Sequence, residues 1–267
     1  TRWDYIDRHS FWHQSLWTVK PDGTGVAHLY GNYSQNICVS TEAKAIPGSP
    51  LVVGTASPHH GITGGSLFLL DARKGEDGLG PIERLTPESP FPEAEGWRLD
   101  RVYNSPMPVN DTLFFCACSE EPYAFPSGHV RCNPGNGSGA NWPSQAAFGI
   151  WLVDRLGGRE LIYRDPAWGT FSPIPLVKRP MPPALTSKPG DAGEGNTGVC
   201  YVHNCYDSRQ QLPKGSIAAI RVNRLHTQSG CVRGAGGRSR SELSVCKETL
   251  GVVPVNPDGS CAFRVPA

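Results

Sequence analysis

The fold is decided by the stretch Gly149-Ile150-Trp151-Leu152-Val153-Asp154, which is followed after Gly157-Gly158 by Glu160-Leu161-Ile162-Tyr163. It consists of an apolar run, a turn with Asp and Gly, and a second apolar run, which is typical of a β-hairpin. The same pattern occurs at two earlier places, Ser15–Val19 with Val26–Tyr30 and Ser66–Asp71 with Ile82–Pro87. Three hairpins of one design predict a repeated β unit.

A further strand precedes each of the last two hairpins. Leu51–Thr55 and Thr112–Cys116 are these strands, and each follows a predicted turn, at Pro47-Gly48 and at Pro106-Met107-Pro108. Four strands per unit is the construction of a propeller blade, so we predict a mainly β chain containing a partial β-propeller of about two and a half blades. The third unit is lengthened by an insertion at 119–147. Because a propeller needs about four blades to close, we expect the chain to be a fragment of a longer protein.

The character of the sequence changes near residue 176. Prolines crowd between Pro173 and Pro183 and favour extended chain, residues 186–198 are Gly-rich and polar, and Gly215–Val222 is a predicted strand. We place a domain boundary at this point. Residues 1–176 form the partial propeller, and residues 177–267 form an extended linker and the start of a small β-rich domain.

The composition excludes some functions and favours a location. Lys and Arg total 25 against 24 Asp and Glu, a net charge of +1, which gives no electrostatic signature of a partner that is nucleic acid or an anionic membrane. No apolar run is long enough to span a bilayer. Nine widely spaced cysteines favour an exported protein (periplasmic, extracellular or within a bacterial compartment) with a few disulfides.

Propeller geometry predicts where a binding site lies. The loops that join second to third strands emerge on one face beside the connections between blades, and such loops usually carry function. We call this the loop face; it gathers residues 3–12, 57–64 and the 119–147 insertion. The candidate ligand-binding residues on the loop face are Asp4, Asp7, Arg8, His59 and His60. The alternative for the charged group at 4–9 is a salt-bridged loop.

Two short stretches carry possible metal ligands. His59-His60 could ligate a metal or act as an acid–base pair, although adjacent side chains of an extended segment point in opposite directions. A solvated loop pair is the alternative. Cys200, His203 and Cys205 are three potential ligands close together, but no second cluster of zinc spacing follows them. Cys116 and Cys118 alternate on a strand and therefore share a face. They could be two soft metal ligands, and the alternative is a disulfide with Cys132.

Motifs of familiar chemistry are absent from the sequence. It contains no CxxCH haem attachment site, P-loop, GxSxG or HExxH, and no GxGxxG follows a strand. No spacing of Asp, His and Ser singles out a nucleophile. The sequence therefore identifies no catalytic residue, and it does not show whether the chain is an enzyme.

Several motifs in order resemble the hydrazine synthase alpha-subunit-like family. The matching stretches are Thr1–Arg8, Leu16-Trp17 with Pro21–Gly25, His59–Gly61, Leu85–Pro87, Phe91–Glu93, Gly96-Trp97, Pro173–Leu176 with Arg179-Pro180, and Pro254-Val255 with Asp258–Ser260. The resemblance implies a six-bladed propeller, a middle domain and often a c-type haem domain. Hydrazine synthase itself uses covalent haems and a zinc site.

The resemblance implies an exported propeller and middle-domain part of a redox protein associated with c-type haem. Since this chain has no CxxCH, we expect no cofactor within it and place a haem or zinc elsewhere in the full protein. The expected partners are other subunits or the remainder of its own chain. The alternative is a non-catalytic scaffold whose loop face binds a protein or a glycan.

Overall fold

The computed structural model describes residues 1–5, 12–31, 36–59, 62–124, 144–178, 197–208, 211–226 and 246–266. Nearly all regular structure in these ranges is β-strand, so the prediction of a mainly β chain is confirmed. The chain divides into two compact units, one of residues 1–4 and 12–183 and one of residues 5–11 and 184–267. No helix in the described ranges is long and apolar enough to cross a membrane.

The first unit begins with a seven-stranded sheet. Its strands are β1 (Arg2–Tyr5), β2 (Trp12–Thr18), β3 (Ala27–Tyr30), β4 (Val39–Ala45), β5 (Val52–Ser57), β6 (Ser66–Leu70) and β7 (Ile82–Arg84). Strands β4 to β7 form an antiparallel meander in chain order. Strands β2 and β3 form a hairpin beside it, as the sequence predicts.

A second meander follows in the same unit. The strands are β8 (Arg98–Leu99), β9 (Val102–Pro108), β10 (Leu113–Ser119), β11 (Tyr123–Ala124), β12 (Phe148–Asp154) and β13 (Arg159–Tyr163). Strands β9, β10, β12 and β13 pair in that order, and β8 pairs with β11. Both meanders have the four strands that the sequence predicts for each unit. Closure of such units into a propeller stays a prediction.

The main core lies where the two meanders pack face to face. Leu67 and Leu69 of β6 belong to the same buried cluster as Phe114, Cys116 and Trp151 of the second meander. Phe68 and Leu70 face the other way, into a cluster with the β2–β3 hairpin. Successive strand residues point to opposite faces. A strand covered on both faces therefore explains the unbroken apolar run of Leu67–Leu70.

The predicted turn at Pro106-Met107-Pro108 is wrong. These residues end strand β9, and the chain turns at residues 109–112 instead. Asn110 makes that turn, because its Oδ1 accepts from the backbone N–H groups of Thr112 and Leu113. Proline is tolerated in β9 because this strand is the edge of its sheet and needs fewer N–H donors. The turn at Pro47-Gly48 is confirmed, with Gly48 at a φ of 72°.

The described residues of the second unit form two strand pairs. Strand β14 (Thr197–Val202) pairs with β17 (Cys261–Pro266), and β15 (Ala219–His226) pairs with β16 (Cys246–Pro254). Gly215, predicted to begin a strand, lies in a turn at a φ of 83°, and the strand begins at Ala219. The domain boundary at residue 176 stays a prediction.

The predicted disulfides are not present among the cysteines whose side chains the structure describes. Those six residues are thiols: Cys38, Cys116, Cys118, Cys200, Cys205 and Cys261. Cys116 and Cys118 do share a strand face, in the core between the two meanders. Cys132 lies outside the described residues.

Candidate functional site

Three potential metal ligands of different chemistry converge in the first unit. The ligand atoms of Cys38, His59 and Glu93 all lie within 4.8 Å of one another. Among the residues that the structure describes, this is the one group of three such donors that could hold a metal ion. We call it the Cys–His–Glu cluster.

Strand order explains why the first two donors meet. Cys38 directly precedes β4, and His59 follows the end of β5. Because Val39 of β4 lies opposite Ser57 of β5 in the antiparallel register, both donors lie at the same end of the sheet. This is the end that carries the loop between the second and third strands of the meander. His59 therefore lies on the side that the sequence analysis assigns to the loop face.

Glu93 comes from the connection between the two meanders. Phe91, two residues earlier, is fully buried and anchors this connection in the core. The N–H of Glu93 donates to the carbonyl of Gly96 over 2.7 Å, and the N–H of Glu95 donates to the carbonyl of Phe91 over 2.9 Å. Glu93 itself has a φ of 69°, which is uncommon for a residue with a side chain. This tight turn directs its carboxylate toward His59.

Both carboxylate oxygens of Glu93 are engaged. Oε1 lies 2.6 Å from Nδ1 of His59, and Oε2 accepts the backbone N–H of His59 over 2.6 Å. The thiol of Cys38 also donates to Oε2, over 3.3 Å. The side chains of His59 and Glu93 are only 7% and 11% exposed. Water therefore screens these contacts weakly, and their electrostatic effect is large.

The carboxyl of Glu93 is held in its ionised form. Burial raises its pKa, but the hydrogen bonds from the ring and backbone of His59 and from Cys38 together outweigh burial, and the pKa is lowered from its usual value. Hydrogen bonds to a charged carboxylate favour that charged form. Glu93 thus gives the cluster a negative charge, which favours binding of a cation.

The donor set suits a zinc-class ion. A thiolate, an imidazole nitrogen and a carboxylate oxygen are the three ligand types that Zn²⁺ takes in proteins. The mixture of soft sulfur with nitrogen disfavours Mg²⁺ and Ca²⁺, which prefer oxygen ligands alone. Metal binding would displace the proton between His59 and Glu93 and the thiol proton of Cys38.

A cysteine nucleophile is the other chemistry that these side chains allow. A nucleophile has to be reached by its substrate, and a catalytic cysteine lies in a partly exposed setting. Cys38 is buried, with 7% of its surface exposed. Burial therefore favours metal ligation over nucleophilic catalysis.

The predicted site residues differ in whether the structure describes them and in whether they converge. His59 lies in the Cys–His–Glu cluster. Asp4 lies in β1, whose side chains are not described, and Asp7, Arg8 and His60 lie outside the described residues. Cys200, His203 and Cys205 lie in the second unit around the end of β14, and they are not among the converging donors of the described residues. The metal-ligand prediction for these three stays a prediction.

The sequence pattern does not single out Cys38 or Glu93 as site residues. Glu93 belongs to the Phe91-Pro92-Glu93 motif that carries part of the family resemblance, and this motif was the available signal. No residue pattern links Cys38 to His59, because 20 residues of chain and two strands separate them. Only the pairing of β4 with β5 brings them together.

Comparison with solved structures shows a likeness in fold. No family model and no curated protein matches the chain. Among solved structures it is similar to Kuenenia stuttgartiensis hydrazine synthase, with a TM-score of 0.56 and 18% identity over 94% of this chain. The chain spans 34% of the length of that protein. At this identity the likeness concerns the fold.

Proposed function

We propose that this chain is a metal-binding part of an exported redox protein related to hydrazine synthase, with zinc or a similar divalent ion held by Cys38, His59 and Glu93. This proposal replaces the expectation, drawn from the resemblance, that the chain holds no cofactor. The observation that carries the proposal is the convergence of these three donors within 4.8 Å in a buried setting. The c-type haem of such a protein lies outside this chain, on its remaining part or on a partner subunit, because no CxxCH occurs here.

The ion joins three separate segments of the first unit. These are the entry to β4 at Cys38, the exit of β5 at His59 and the connection after β7 at Glu93. An ion that binds the folded arrangement and not the unfolded chain stabilises the fold.

The redox part of the proposal rests on the likeness in fold. The similarity to hydrazine synthase covers nearly the whole chain, and the order of short motifs supports the same relationship. A shared fold does not establish a shared reaction, because one fold hosts many functions. The metal cluster and the haem association therefore need separate experiments.

Metal binding is tested on the whole chain by titration with Co²⁺, whose absorption reports thiolate ligation, and by metal analysis of protein purified with Zn²⁺. We expect one ion per chain, a sulfur-to-cobalt charge-transfer band in the near ultraviolet, and a loss of at least about tenfold in affinity for Cys38→Ser and Glu93→Gln. Cys261→Ser, which removes a buried thiol of the second unit, is the matched control and keeps the affinity. Equal affinity of Cys38→Ser and the parent chain would contradict the proposal.

Haem association is tested by the visible absorption spectrum of the full-length native protein with its natural partners. A Soret band supports the redox proposal and places the haem ligands outside this chain. A colourless preparation contradicts it and favours the scaffold alternative, in which the loop face binds a protein or a glycan.

A further inference from the structure

We infer that Arg84 is a positioning residue that sets the carboxylate of Glu93 for metal binding, acting through Glu95 and Phe91. The inference rests on the proposed metal function of the Cys–His–Glu cluster. Arg84 is the last residue of β7, directly before the connection that carries Glu93. It is not a ligand, and its effect passes through the turn of residues 91–96.

Arg84 holds two residues of this turn at once. Its guanidinium carbon lies 3.8 Å from the centroid of the Phe91 ring, within the range of a cation–π contact. The same guanidinium forms an ion pair with the carboxylate of Glu95, where the two side chains are 28% and 34% exposed. Arginine is suited to this double role because its flat cation can stack on a ring and donate from its edge.

Glu95 passes this restraint to the backbone of the turn. Its Oε2 accepts the N–H of Phe91 over 2.8 Å, and its own N–H donates to the carbonyl of Phe91 over 2.9 Å. Together with the 2.7 Å bond from the N–H of Glu93 to the carbonyl of Gly96, these contacts close the turn on both sides of Glu93. The left-handed φ of 69° at Glu93 is kept only because the surrounding contacts enforce it.

The opposite side of the turn is fixed by packing. Pro92 lies so close to Gly65 that a Cβ at position 65 would be 2.5 Å from the proline Cγ and 2.1 Å from the carbonyl oxygen of Ala56. The turn therefore cannot move toward β5 and β6. Movement away from them is the remaining freedom, and the Arg84–Glu95 ion pair with the Phe91 stack restrains it.

A metal site is sensitive to this restraint. A ligand has to be held within about 0.5 Å of its bound geometry by its supporting residues. Loss of supporting contacts typically costs metal affinity by about 10- to 100-fold. Without Arg84, Glu93 can leave the left-handed conformation, and its carboxylate then turns away from His59 and Cys38.

The test compares Co²⁺ binding by the whole chain with binding by Arg84→Met, which keeps the length of the side chain and removes its charge. We expect the Kd of Arg84→Met to rise about tenfold with a shifted sulfur-to-cobalt band, and Arg84→Lys to recover part of the affinity. Glu95→Gln, a second variant that leaves the Phe91 stack intact, should weaken Co²⁺ binding as well. Arg155→Met is the matched control, since Arg155 pairs with Glu83 at similar exposure, 32% and 44%, away from the cluster.

The Co²⁺ titrations distinguish a failure of the role inferred for Arg84 from a failure of the proposed metal binding. If the parent chain binds Co²⁺ and Arg84→Met binds it with the same affinity and spectrum, the inference is overturned and the metal function stands. A loss of stability in urea with unchanged Co²⁺ binding gives Arg84 a purely structural role and also overturns it. If the parent chain binds no Co²⁺, the proposed function fails and the inference with it.

Discussion

His59 holds both carboxylate oxygens of Glu93, with its ring Nδ1 2.6 Å from Oε1 and its backbone N–H donating to Oε2 over 2.6 Å. One residue of the β5–β6 loop thus orients a carboxylate from a connection more than 30 residues later in the chain. The backbone contact does not depend on the protonation of the ring. It would hold Glu93 beside His59 if the proposed metal ion bound to the cluster.

Zinc should stabilise the whole chain against unfolding. A ligand present at about 100 times its Kd stabilises the folded state by about 2.7 kcal/mol if it does not bind the unfolded chain. We expect the urea midpoint to rise with Zn²⁺ and to fall again with EDTA. Cys38→Ser should show no such rise. An equal rise in both proteins would place the stabilising ion elsewhere.

The described thiols should differ widely in reactivity. Burial raises the pKa of Cys118 to about 12 and raises the pKa of Cys116 well above its usual value, so neither forms a thiolate near neutral pH. Cys200 is exposed. Brief treatment of the native protein with iodoacetamide, followed by mass spectrometry, should label Cys200 and leave Cys116 and Cys118 unmodified. Labelling of Cys116 at the rate of Cys200 would mean that the core between the two meanders opens readily.

Glu42 should contribute to the contact between the two meanders. Its Oε2 accepts from the backbone N–H of Ser105 over 2.6 Å and from Oγ1 of Thr55 over 2.9 Å. Glu42→Ala leaves the Ser105 N–H without this acceptor, and we expect a loss of about 1–3 kcal/mol in the free energy of unfolding, measured with urea. Glu160→Ala, in the exposed strand β13, is the control and should change it by less than about 0.5 kcal/mol. A Glu42→Ala effect as small as that of the control would contradict the prediction.

Asp71 should remain ionised to low pH. The side-chain hydrogen bond from Arg73 outweighs desolvation and lowers the pKa of Asp71 to about 2. Because the folded pKa lies below the unfolded value of about 3.9, its stabilising effect is fully present above pH 4 and is lost as the pH falls through about 2. Carbon-detected NMR of the side-chain carboxyl should give this pKa, and the urea midpoints of the parent and Asp71→Asn should converge toward pH 2. A measured pKa near 3.8 would show that the Arg73 contact does not persist in solution.

The sequence predicted the strands better than the turns. Alternating and apolar runs such as Gly149–Asp154 identify strands because side-chain direction in a strand repeats every two residues. By local pattern Pro106 and Pro108 favour a turn, because proline lacks an N–H. An edge strand tolerates that loss, but which strand forms the edge depends on the order of the sheet, which local pattern does not contain.

The candidate site was likewise only partly predictable from the sequence. His59 could be singled out because histidine near a loop is a common ligand, and propeller geometry indicated the side of the sheet on which it lies. Cys38 and Glu93 could not be assigned with it. Their distance from His59 depends on the β4–β5 register and on a left-handed turn at Glu93, and neither follows from residue type.

The amino-acid sequence by itself determined that the chain is mainly β, that its strands repeat in units of four, and that it carries no covalent haem motif. These properties depend on composition and on short periodic patterns, which act over a few residues. Only the tertiary structure decided that Cys38, His59 and Glu93 meet. Contacts between residues far apart in the chain are set by strand pairing and by the packing of Phe91 and Pro92, so the donor atoms converge only when the whole first meander has folded.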